Sequence, residues 1–265
     1  HKLVGVLCNA GLEEEHHPVL TPPFDNQAQR LMPDGSFAPA TDHEDFGLLF
    51  RPTMTQVSRW DRLKGFGPLL DAFVQLKRKL DDPGQEMTER HRRRLHLLRL
   101  IMAGPDPASI QDDPEAVEVL EELSQAYVDL PEALQKDVVL LTLPMASRKE
   151  NALMVNALQR CSTLVVQNSL QEGFGLTATE AMWKGVPVVG TRAYGLQQQI
   201  RNGIDGLLVQ DASNPEEVVK RVNDVLENVR KRDFMARNAQ QRVSEEFLIF
   251  TQMSHWLRAL SSSLH

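Results

Sequence analysis

Six short strand-like runs recur along the chain, Thr53 to Ser58 alternating and the others mostly apolar, each bounded by turn residues and each followed by an amphipathic stretch. Thr53 to Ser58, Leu97 to Ala103, Val138 to Leu143, 163–167, Val186 to Gly190 and Leu207 to Val209 read as buried strands. The stretches between them read as helices. Pro68 to Leu80 turns Leu69, Leu70, Phe73 and Leu76 to one face, and Pro114 to Leu130 does so with Val117, Leu120 and Leu123. Lys149 to Cys161, Thr177 to Lys184, Leu196 to Asn202, Asn214 to Val229, Lys231 to Phe247 and Phe250 to Leu260 continue the alternation. Strands of continuous apolar character alternating with helices predict an α/β fold: a Rossmann-like, doubly wound parallel sheet of about six strands. This domain spans residues 47–265. Residues 1–46 hold a short helical stretch, Leu3 to Leu12, and otherwise read as an irregular surface extension.

The most informative stretch joins the strand at 163–167 to the following helix. It reads Asn168-Ser169-Leu170-Gln171-Glu172-Gly173-Phe174-Gly175-Leu176-Thr177, with Glu180 one turn into the helix. Gly173 and Gly175 permit a sharp turn and the close approach of a ligand. The first amides of a helix have no internal partner and can take an anion, while Glu172 and Glu180 can accept from hydroxyls. That set suits a ligand with both phosphate and sugar hydroxyls. The same spacing also occurs in ordinary α/β connections, so both readings stand on pattern alone.

Earlier in the chain, Arg59 and Lys64 flank a strand-to-helix loop. In an open α/β sheet ligands bind beyond the carboxyl ends of the strands, which is where this loop lies. Two cations there could clamp a diphosphate; loop cations are also commonly just solvated.

Glu172-Gly173-Phe174-Gly175-Leu176 with Glu180 resembles the paired-glutamate motif of retaining glycosyltransferases of the GT-B fold. The longer string from Glu172 to Gly185, ending Thr179-Glu180-Ala181-Met182-Trp183-Lys184-Gly185, resembles the branch of nucleotide-glucose-dependent trehalose synthases and retaining trehalose phosphorylases. The resemblance implies that the chain is the C-terminal, nucleotide-sugar-binding half of a GT-B fold. It implies UDP- or ADP-glucose as donor, with Arg59, Lys64 and Glu172 as catalytic residues. Gly104, Gly173, Phe174, Gly175, Leu176, Thr177 and Glu180 would contact the donor. The loop 144–147 would lie beside the base. No Asp-x-Asp occurs, so no metal or other cofactor is expected. The acceptor-binding N-terminal domain is not found in the sequence, so the chain reads as inactive alone, its partner half supplied by a missing domain or another chain. Without that half, Trp256 and Leu257 of the last helix are expected to be exposed or mispacked. The family's glycine pair followed by glutamate after the fifth strand is replaced here by Thr191-Arg192-Ala193-Tyr194-Gly195-Leu196-Gln197, which puts a donor contact from that loop in doubt. A phosphorylase domain and a non-catalytic nucleotide-sugar-binding or assembly module remain alternatives.

Composition narrows the remaining classes. The 265 residues carry a net charge of −7, which argues against broad nucleic-acid binding. The basic run Arg90-His91-Arg92-Arg93-Arg94 has no aromatic interleaving and reads as a solvated helix face. No apolar run reaches the length of a membrane span. Glu13-Glu14-Glu15-His16-His17-Pro18 and Asp42-His43-Glu44-Asp45 lack a third cluster at ligand spacing and read as charged loops. Cys8 and Cys161 are too few for a disulfide framework. Cys161 reads as a reduced core thiol, and a cytoplasmic setting is expected.

Overall fold

The computed structural model of the protein describes residues 2–13, 24–40, 47–82, 84, 86–109 and 113–263. Helix α1 (Lys2–Asn9) and two short strands, β1 (Gln29–Leu31) and β2 (Phe37–Pro39), come first. The alternating part follows: β3 (Thr53–Val57), α2 (Phe66–Arg78), α3 (Glu89–Leu97), β4 (Arg99–Pro105), α4 (Pro114–Val128), α5 (Glu132–Gln135), β5 (Val138–Leu143) and α6 (Arg148–Cys161). It continues with β6 (Leu164–Gln167), α7 (Leu176–Trp183), β7 (Val188–Thr191), α8 (Tyr194–Gln199) and β8 (Gly206–Val209). Helices α9 (Pro215–Glu227), α10 (Val229–Glu246) and α11 (Ile249–Ser263) end the chain.

Among the described residues these strands form one sheet in the order β2-β1-β5-β4-β3-β6-β7-β8. β3 to β8 are all parallel, with Thr55 beside Ile101 on one flank and Val165 on the other. Every residue of β3, β5, β6, β7 and β8 is buried. Successive side chains serve opposite faces: Leu100 and Met102 of β4 join the core under α2, α4 and α9, while Ile101 and Ala103 join the core under α6. A sheet covered on both sides has no solvent-facing side, which is why most of these strands read as apolar runs, although β3 buries Thr53, Thr55 and Gln56.

The six parallel strands are those expected from the sequence, with some ends shifted by one or two residues. Leu97 ends α3, so β4 starts at Arg99 rather than two residues earlier. The stretch before residue 47 contributes α1, where a short helix was expected, and also β1 and β2, where an irregular extension was expected; β1 pairs antiparallel with β5, and Leu7, Leu12 and Leu31 are buried. Three-residue strands show too little alternation to be read as pattern, and β1 is defined by a neighbour distant in sequence. The acidic-histidine runs at 14–18 and 42–45 lie outside the described residues. Among the described residues, no helix is long and apolar enough to cross a membrane. Trp256 and Leu257 on α11 are exposed.

Candidate functional site

From β3 the sheet grows one way through β4 and β5 and the other way through β6, β7 and β8. The loops leaving β3 and β6 therefore part at a topological switch point, where open α/β sheets form a crevice. A buried amide at the end of β3 holds both loops in register. Gln56 donates to the Lys64 carbonyl at 2.7 Å and accepts from the Asn168 amide at 2.9 Å. Asn168 donates in turn to Gly65 and Ala212 carbonyls, and the Leu170 amide donates to Leu63 at 2.7 Å. Gly65 is obligatory here: its φ is +62°, and a Cβ would lie 2.2 Å from the Asn168 carbonyl oxygen.

The β3 loop carries the two cations to different places. Asp61 caps a single 3-10 turn, Arg62–Lys64, by accepting from the Leu63 amide at 2.7 Å. That turn aims Lys64 across the switch point, where Nζ meets Glu172 Oε2 at 2.8 Å; both side chains are largely buried. Arg59 stays open to solvent, 3.6 Å from Asp61, and lines a cleft with Gly104, Leu176, Thr177 and Glu180. Lys64, Glu172, Gly173, Phe174 and Gly175 do not line this cleft; residues 172–175 lead into Leu176 and Thr177, which do, and Lys64 is paired to Glu172.

Gly175 opens α7 with φ +86°, and a Cβ there would sit 2.7 Å from Leu196. Gly173 differs: its φ is ordinary and nothing lies within 4 Å of its Cβ direction. No demand of this fold requires glycine at 173, which leaves an open approach to the loop. Among the described residues the Leu176 and Thr177 amides have no hydrogen-bond acceptor, so the positive end of α7 is free at the cleft. The loop is braced from α8: the Gly195 amide donates to the Glu172 carbonyl at 2.8 Å, and Gln199 donates to the Phe174 carbonyl. The departing segment Thr191 to Gln197 thus supports the loop from behind. Phe174 also meets Phe247 edge-on at 6.2 Å between ring centres.

The cleft measures about 590 Å³, within the range of small-ligand sites. Its far wall is Met145, Asn151, Val155 and Asn156, from the loop after β5 and from α6. Gly104 has a packing reason: a Cβ would lie 2.5 Å from the indole of buried Trp60, whose Nε1 donates to the Pro105 carbonyl at 2.8 Å. Asn151, Asn156, Lys184 and the loop-tying Gln56 were not found from the sequence. A long amide side chain within the alternating strand β3 was the available signal for Gln56. Lys184 also lines the cleft; burial pushes its pKa down, with nearby Glu180 opposing. Among the described residues, no group of three or more His, Cys, Asp or Glu is placed to hold a metal.

The profile of the family described as glycosyl transferases group 1 matches residues 42–242. The chain belongs to that family. This group 1 glycosyltransferase is 35% identical over 216 residues to a trehalose synthase of Pyrococcus horikoshii, covering 80% of this chain and 44% of that protein. It is 24% identical to a trehalose phosphorylase of Grifola frondosa, covering 80% of this chain and 27% of the relative. The chain thus spans less than half the length of these relatives. Among solved structures, sucrose-phosphate synthase of Thermosynechococcus elongatus superposes with TM-score 0.58 at 23% identity, over 80% of this chain and 46% of that one. Anabaena Alr3699/HepE in complex with UDP-glucose gives TM-score 0.58 at 22% identity, over 82% of this chain and 50% of that one. The fold is that of the C-terminal part of GT-B glycosyltransferases.

Proposed function

We propose that this chain is the donor-binding part of a retaining glucosyltransferase that moves glucose from UDP- or ADP-glucose to a sugar acceptor, in the manner of a trehalose synthase. The observation that carries the reading is the free N-terminus of α7 at a switch-point cleft, with Arg59 on the cleft wall and Lys64 paired to Glu172 on the loop that leads into α7. The diphosphate would accept from the Leu176 and Thr177 amides, with Arg59 adding positive charge. These donors would stabilise the charge that grows on the leaving diphosphate as the glucose C1–O bond breaks. Lys64 would join them by exchanging its carboxylate partner for phosphate, leaving Glu172 to accept from the sugar hydroxyls. Glu180, on the same helix face as Thr177, would accept from the ribose. None of these side chains is placed as a general base, and the leaving phosphate would take the acceptor's proton. The acceptor-binding residues would come from a further domain or another chain, and no metal would be required.

Calorimetry with UDP, ADP and UDP-glucose tests the reading. A nucleoside diphosphate should bind with unchanged affinity in excess chelator. Glu180→Ala should weaken it about tenfold, the loss of a charged hydrogen bond, at unchanged melting temperature. Absence of binding by both nucleotides overturns the proposal. The similarity to trehalose phosphorylase supports one competing reading, in which inorganic phosphate replaces the nucleotide. Trehalose formation from a nucleotide sugar, against phosphate-dependent trehalose cleavage, separates the two in a protein that carries both halves.

A further inference from the structure

We propose that Lys184 is a specificity-determining residue of the cleft, donating a hydrogen bond to a ribose hydroxyl that in turn donates to Glu180. The proposal rests on the donor-binding reading above and gives a role to Lys184, which the longer motif string contains without one.

Glu180 and Lys184 stand four residues apart at the C-terminal half of α7 and its cap, so they share a face, and both line the cleft. A lysine in that position commonly pairs with the glutamate one turn before it. Here the ammonium is held at 2.6 Å by Gln159 Oε1 instead. Gln159 is fully buried, and its own amide donates to the Thr177 carbonyl at 3.0 Å. The lysine head is therefore tethered to the same turn that offers its free amides to the diphosphate. Glu180 remains close enough for its charge to favour the ammonium, yet no bond joins them. An anion and a cation on one wall, kept apart by a third residue, leave a gap with an acceptor on one side and a donor on the other.

The chemistry of that gap is specific. An ionised carboxylate only accepts, and an ammonium only donates, with three hydrogens of which Gln159 takes one. A hydroxyl both donates and accepts, so it satisfies both walls at once. A ligand edge of methylene type would leave Lys184 and Glu180 facing an apolar group and would forfeit both bonds. The pair therefore selects a ribose over a deoxyribose.

The test is the ratio of affinities for UDP and for 2′-deoxy-UDP and 3′-deoxy-UDP, measured by calorimetry on the intact chain. The unsubstituted protein should favour UDP by roughly tenfold or more over the analogue lacking the bridging hydroxyl. Lys184→Met should weaken UDP by roughly tenfold and that analogue by less than about twofold, so the ratio falls by roughly fivefold or more and only the part due to Glu180 remains. Lys184→Arg, which keeps a donor, should retain most of the discrimination. Because each ratio is taken within one variant, a change in stability cancels. If Lys184→Met weakens all three nucleotides by one factor, or none, the lysine only props Gln159 and the proposal is overturned. If the unsubstituted protein binds neither UDP nor ADP, the donor-binding reading fails and this proposal falls with it.

Discussion

Lys64 and Glu172 meet across the switch point, Nζ to Oε2 at 2.8 Å, and so join the loops of β3 and β6 by charge as well as by backbone. Each is expected to face a different part of the donor, yet here they neutralise one another. Removing either partner should act in opposite directions on diphosphate binding. Lys64→Met removes a cation and should weaken UDP by about ten- to a hundredfold, the range of a charged hydrogen bond. Glu172→Gln removes a competing anion and should leave UDP as tight or a few-fold tighter, while weakening UDP-glucose relative to UDP. Parallel titrations with the two ligands check this; equal losses in both variants would refute the assignment.

The two glycines of the loop should respond differently to alanine. Gly175 has φ +86° and a Cβ direction blocked at 2.7 Å by Leu196. Gly175→Ala should cost about 1–3 kcal/mol in chemical denaturation. Gly173 has open space around it and an ordinary φ. Gly173→Ala should change stability by less than about 0.5 kcal/mol, and any effect should appear only in ligand binding.

Lys77 anchors the face opposite α6 and α7. Its ammonium donates to the Leu95 and His96 carbonyls, each at 2.9 Å, and to Asp137 at 2.8 Å, with only 5% of the side chain exposed. It ties α2 to the end of α3 and to the start of β5. Lys77→Met leaves two carbonyls and a carboxylate with a lost partner and should cost about 3 kcal/mol. Urea unfolding measures it, and UDP affinity should be unaffected because the site lies elsewhere.

Cys161 closes α6 with a thiol pushed up to about 11, chiefly by burial and secondarily by the charge of Glu13. An ordinary thiol ionises near 8.5. In a Cys8→Ser background, alkylation of Cys161 at pH 8 should run on the order of a hundredfold slower than that of a free thiol. The rate should climb nearly tenfold per pH unit until the pH approaches about 11. An alkylation rate that levels off near pH 9 would show an exposed, unperturbed thiol.

The alternation of buried strands and amphipathic helices was readable along the chain because each such element needs only its own short run of residues. The glycine turn before α7 was readable for the same reason, since Gly173 and Gly175 permit a sharp turn whatever surrounds them. What pattern could not supply was everything defined by two distant stretches at once. β1 exists as a strand because β5 offers it an edge. Gln56 matters because Lys64 and Asn168 arrive on either side of its amide. Gly104 is explained by Trp60 filling the space of its missing Cβ. Lys184 is fixed by Gln159, which reaches it from a different helix. Local propensity and periodicity were settled by the amino-acid sequence. The pairing of Lys64 with Glu172, and the separation of Lys184 from Glu180, were decided only when the parallel sheet brought the ends of its strands together.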